Sequence, residues 1–319
     1  MARRMSLLAV LLIVGIAAAG YGAMHYMTSM PGKPHIGALP PLTPEEAALV
    51  QSLKRHIATI AAREHNLAHY DELEKVARYI EATLASLGYT VGRQEFLAAG
   101  KMVRNIEVTV EPGAQNSDPQ VIVIGAHYDS VSGSPGANDN ATGAAAVIEL
   151  ARLARDLDAV GTKRIRFAFF VNEEPPYFRT EAMGSLQYAR ALARRNERVI
   201  AMYSLETIGF YSSEPGSQIY PAPFGLMFPD RGDFVAFGGG NSAKHTARLL
   251  VIWMRREPQM LRIRNRVLNE LASTRGSERL AAVPCENFLH QAAFVFALVQ
   301  SREKCILDSE AKHVQQKNS

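Results

Sequence analysis

Three short, predominantly apolar runs, each followed by an acid or a histidine, constrain this chain more than any other feature. Residues 121–125 read Val-Ile-Val-Ile-Gly and lead to His127. Residues 165–171 end just before Glu173 and Glu174, and residues 199–205 end at Glu206. Runs of this kind suit strands covered on both faces. Helical stretches at residues 142–157 and 183–194 separate them. Strand, helix, strand, helix, strand predicts an α/β fold, a three-layer sandwich with a central mixed, mostly parallel sheet and helices on both faces. Ligands in such folds bind at the carboxyl ends of the strands, where His127, Glu173, Glu174 and Glu206 fall.

Upstream elements are also legible. Thr43-Pro44-Glu45-Glu46 opens a helix, with Thr43 as cap, Pro44 in the first turn and Glu46 closing a capping box. Residues 70–87 carry Leu73, Val76, Ile80, Leu84 and Leu87 at helical spacing, and Gly88 ends them. Residues 90–96 and 103–110 read as strands.

The first residues are read apart from the fold. Arg3 and Arg4 precede an uncharged apolar run over residues 7–24, long enough to span a bilayer. Residues 1–30 are therefore expected to be a signal anchor or transmembrane segment, with Ala17-Ala18-Ala19 as an alternative cleavage site that would release the protein. The positive flank places the rest of the chain outside the cytoplasm. Residues 31–44 form a Pro-rich linker, residues 45–240 the main domain, and residues 241–319 a remainder of different character. That remainder holds 13 Lys and Arg against 7 Asp and Glu. Its arginines are scattered rather than clustered with aromatics, and an exported chain has no use for nucleic acid. The membrane and a peptide are the expected partners. Two cysteines are too few for a disulfide scaffold.

The chemistry sits in five segments: Gly125-Ala-His-Tyr-Asp-Ser130, Gly136-Ala-Asn-Asp-Asn-Ala-Thr-Gly143, Asn172-Glu-Glu-Pro-Pro176, Met183-Gly-Ser185 and Ser204-Leu-Glu-Thr-Ile-Gly209. Adjacent side chains on extended backbone point different ways. One of Glu173 and Glu174 can thus bind a metal while the other faces water in the cleft. Asp139, on a loop leading into a helix, can bridge two cations. Asp129 suits the carboxylate that accepts the outer N–H of a metal-bound His127.

Taken in order, these segments resemble the M28 family of zinc peptidases over residues 70–233. The resemblance implies two zinc ions, with Asp139 bridging them, His127 and Glu206 completing one and Glu174 binding the other. Glu173 would be the general base. It also implies a cis peptide after Asp139. The family usually has aspartate where Glu206 stands, and a further histidine late in the chain. Of His245, His290 and His313, His290 falls at a plausible distance, but it lacks the preceding Asp and lies in an apolar stretch over residues 288–299 that also reads as a core helix. Resemblance stops near Gly238-Gly-Gly240, where the charge balance changes. The remainder is therefore either a divergent tail or the product of a shifted reading frame.

Three functional readings are open on these grounds. The first is a two-zinc aminopeptidase that uses a Glu base. The second is a glutaminyl-cyclase-like transferase with one zinc. The third is an ectodomain whose catalysis is impaired by the missing histidine.

Overall fold

The computed structural model describes residues 2–28, 41–112, 119–155, 163–210, 212–220, 224–226, 228–238 and 293–298. Helix α1 (Ala2–Thr28) contains the stretch Leu8–Tyr26, whose length and apolar composition suffice to cross a membrane. Most of the expected linker, residues 31–40, lies outside the described residues.

Helix α2 (Pro44–Ile60) starts at the expected capping box. Thr43 Oγ1 accepts the Glu46 N–H at 3.2 Å, and the Thr43 N–H donates to Glu46 Oε2 at 2.8 Å. Two N–H groups that the first turn leaves without intrahelical partners are thereby satisfied. Helix α3 (Tyr70–Ser86) buries Leu73, Val76, Ile80 and Leu84, the stripe read from sequence.

Strands β1 (Gly92–Ala98) and β2 (Lys101–Val110) form a hairpin. Its loop is Ala99-Gly100, with φ of 46° and 77°, the positive angles a two-residue hairpin turn needs. Next along the chain come β3 (Gln120–His127), α4 (Thr142–Arg155), β4 (Lys163–Phe170), α5 (Gly184–Arg194), β5 (Val199–Glu206), β6 (Val235–Gly238) and β7 (Ala293–Leu298).

The sheet order is β1-β2-β4-β3-β5-β7-β6. Pairs β3–β4, β3–β5 and β6–β7 are parallel, while β1–β2, β2–β4 and β5–β7 are antiparallel. The sheet is mixed, as expected, but parallel pairing is narrower than expected. It centres on β4-β3-β5, the strands joined by α4 and α5. A hairpin can only pair antiparallel, and β1–β2 supplies one flank that way. Within the apolar stretch over residues 288–299, the described residues 293–298 form strand β7 rather than part of a helix, and Phe294 stands opposite Glu206. Short runs of aromatic and β-branched residues suit either state by pattern alone.

Side-chain alternation divides the core. Phe167 and Phe169 of β4 and Ala126 of β3 join the cluster under α2, α3 and α4. Ala168 and Phe170, with Val121 and Val123, pack on Tyr188 and Leu192 of α5. Each large apolar side chain so buried contributes about 1.5–3 kcal/mol. The parallel core therefore holds β3, β4 and β5 in one register, with their carboxyl ends side by side.

Candidate metal centre

His127 is the last residue of β3 and is almost fully buried. Its Nε2 lies 3.0 Å from Asp139 Oδ1 and 3.4 Å from Glu206 Oε2. Ligand atoms of the three residues all lie within 4.8 Å of one another. Burial opposes a charged imidazole, but Glu206, Asp129 and Asp139 outweigh it and hold the His127 pKa well above its ordinary value.

The loop that carries Asp139 is tightly made. Gly136 takes a left-handed φ of 65°, and a Cβ there would meet Asp139 O at 2.7 Å. The Asp139–Asn140 peptide is cis. Asn140, 1% exposed, ties the loop to β5. Its Nδ2 donates to Leu205 O at 2.8 Å and to Glu206 Oε2 at 2.7 Å, and its Oδ1 accepts the N–H of Gly143 at 3.1 Å and of Thr207 at 3.3 Å. Ser204 Oγ–H donates to the other Glu206 oxygen at 2.9 Å. Glu206 is thus held at both oxygens.

Asp129 is 2% exposed. Its Oδ1 accepts the Glu173 N–H at 3.1 Å, and its Oδ2 accepts the Glu174 N–H at 3.2 Å. His127 Nδ1 meets the Asp129 backbone oxygen at 3.1 Å and carboxylate Oδ1 at 3.4 Å. His127 Nδ1 therefore faces Asp129, whose carboxylate is chiefly the clasp of the Glu173-Glu174 turn. His65 lies behind it, 1% exposed; its N–H donates to Ser130 Oγ and its backbone oxygen accepts the Ser130 N–H, each at 3.0 Å.

Glu173 follows β4 closely, and its carboxylate accepts from Ser185. Burial pushes its pKa up to about 7, against the pull of the two Ser185 donors. Glu174 is buried beside it but lies outside the His127–Asp139–Glu206 triplet. A cleft of about 330 Å³, lined by Leu67, Ala99, Lys101, Pro175 and Tyr177, opens against Asp129 and Glu174. His245, His290 and His313 lie outside the described residues.

Sequence reasoning missed Asn140 and Ser204 and left Ser185 without a role. Asn140 and Ser204 stand inside the quoted segments, but as turn and strand residues they carry no signal of their partners.

The donor chemistry fits zinc. One imidazole nitrogen and two carboxylates are its common ligands, and atoms about 2.0–2.2 Å from a tetrahedral ion stand roughly 3.3 Å apart. The separations of 3.0 and 3.4 Å around His127 Nε2 are of that size.

Residues 105–225 match the family described as Peptidase family M28. The uncharacterized protein YfbL of Escherichia coli (strain K12) is 38% identical over 218 residues, 65% of this chain and 64% of that protein. The aminopeptidase YwaD of Bacillus subtilis (strain 168) is 30% identical over 148 residues, 46% of this chain and 29% of that protein. The chain thus spans less than two-thirds of the length of these relatives. Among solved structures, the LapA aminopeptidase of Legionella pneumophila shares the fold at a TM-score of 0.51 and 14% identity, covering 87% of this chain and 72% of that one.

Proposed function

We propose that this chain, whose residues 105–225 match peptidase family M28, is a metal-dependent hydrolase that removes N-terminal residues from peptides. The observation that carries this reading is the triplet around His127 Nε2, with Asp139 at 3.0 Å and Glu206 at 3.4 Å. These three residues would hold one zinc, and Asp139 with Glu174 would serve a second. Bound zinc supplies a water that is acidic near neutral pH and a positive charge for the developing oxyanion.

The remaining work belongs to the chain. Glu173, half-buried and backed by Ser185, takes the proton of the attacking water and delivers it to the leaving amine. Asp129 holds the backbone of Glu173 and Glu174 in place, so base and ligand stay in one arrangement. The cleft beside Glu174 offers room for a peptide end. Helix α1, with its long apolar stretch, would tether the domain on the extracytoplasmic side of a membrane.

The test uses the full chain in detergent. Metal content is measured, and a panel of aminoacyl-nitroanilides is assayed with and without chelator, for wild type and Glu173→Gln. Two zinc ions per chain are expected, with hydrolysis lost to chelator and to the substitution. Unchanged hydrolysis by Glu173→Gln would overturn the mechanism, and a single zinc with no hydrolysis would overturn the peptidase reading.

A further inference from the structure

The Met183-Gly184-Ser185 segment brings no metal ligand and moves no proton, yet it closes on the carboxylate of Glu173. Ser185 donates its backbone N–H to Glu173 Oε1 at 2.5 Å and its Oγ–H to Oε2 at 2.8 Å. One residue thus holds both oxygens. Helix α5 starts at Gly184, whose N–H donates to Val171 O at 2.9 Å. A Cβ on Gly184 would meet Val171 O at 2.3 Å and Asn105 Oδ1 at 2.4 Å, so only glycine lets the helix start approach so closely.

Asn105 of β2, 1% exposed, locks this mount. Its Nδ2 donates to Gly184 O and to Gln94 Oε1, each at 2.8 Å. Its Oδ1 accepts the Val171 N–H at 3.2 Å. The strand end that leads to Glu173 and the helix start that carries Ser185 are tied to one buried side chain.

We propose that Ser185 is the positioning residue of the base. It fixes the plane of the Glu173 carboxylate and leaves the remaining lone pairs turned toward the reacting water. A glutamate has three side-chain torsions, and a carboxylate held by one donor can rotate away. This inference rests on the reading of Glu173 as the base. Misplacing a catalytic group by 1 Å can cost about 100-fold in rate.

The experiment compares Ser185→Ala, Ser185→Thr and Glu173→Gln in the zinc-loaded full chain. Ser185→Ala keeps the N–H and loses the hydroxyl. Its kcat is expected to fall by roughly 10- to 100-fold, with KM within about twofold and an unchanged thermal midpoint. Ser185→Thr keeps the hydroxyl and is expected to recover most of kcat. Wild-type kcat in Ser185→Ala would overturn the inference, as would a loss that Ser185→Thr does not repair. If Glu173→Gln is inactive while Ser185→Ala is fully active, the positioning role alone fails. If Glu173→Gln retains activity, the base reading fails, and this inference fails with it.

Discussion

Asn140 donates its side-chain N–H to Glu206 Oε2 at 2.7 Å. That same oxygen lies 3.4 Å from His127 Nε2. The loop before α4 therefore aims the acid at the end of β5. Replacing Asn140 by Ala removes the donor to Glu206 Oε2, leaving Ser204 at the other oxygen, and takes away the Oδ1 acceptor of the Gly143 and Thr207 N–H groups. Loss of such an outer partner typically weakens metal binding about 10- to 100-fold. Zinc affinity measured by competition with a chelating dye checks this, and wild-type affinity would refute it.

Asp129→Asn replaces one acceptor of the Glu173-Glu174 clasp by an NH₂ group, which cannot accept a backbone N–H. One buried N–H then loses its partner, at a cost of about 1–3 kcal/mol. Urea unfolding should show the loss, and kcat should fall with it, because base and ligand share this support. A variant destabilised but fully active would show that the clasp is structural only.

Gly143→Ala places a Cβ 2.3 Å from Leu205 O and 2.4 Å from Asn140 Oδ1. Neither is free to give way, since Leu205 O and Asn140 are hydrogen-bonded to each other. Overpacking of this kind costs about 1–3 kcal/mol or more, and the expected result is a lower thermal midpoint together with weaker zinc binding.

Glu149 lies away from the metal centre, buried on α4. It accepts from Ser52 Oγ at 2.5 Å, His56 Nε2 at 3.2 Å and Arg152 Nε at 2.6 Å. Burial pushes its carboxyl up, but His56, Ser52 and Arg152 outweigh that and bring it down to about 2 from 4.5. A folded value below the unfolded one gives stability that is complete above the unfolded pKa and lost as pH falls toward the folded one. The gap corresponds to about 3 kcal/mol. Between about pH 5 and pH 2 the wild type should therefore lose about 3 kcal/mol more stability than Glu149→Gln. Parallel acid unfolding curves for the two proteins would contradict this.

Much of the scaffold was legible because its signals are local. The Thr43–Glu46 capping box, the stripe of α3 and the apolar runs of β3, β4 and β5 each reside in a few neighbouring residues, and all appear where expected. Parallel pairing is narrower than expected, because no local pattern tells that β2 and β7 run antiparallel to the neighbouring β4 and β5. Asn140 illustrates what stayed hidden at the site. Asn-Asp-Asn reads as a turn, and nothing in it announces Leu205 and Glu206, which are 65 and 66 residues away.

By itself the chain's sequence determined the α/β class and put acids and an imidazole at strand ends. It did so through periodicity and residue type, which need no knowledge of distant partners. Only the tertiary structure decided how these groups face one another. Asp129 meets the backbone of Glu173 and Glu174 across 44 and 45 residues, and Ser185 meets the Glu173 carboxylate across 12. The reason is geometric. At a strand end the backbone leaves the sheet, so alternation no longer dictates where a side chain points. Its direction is set by which loops meet there, and they meet only once β3, β4 and β5 lie in register.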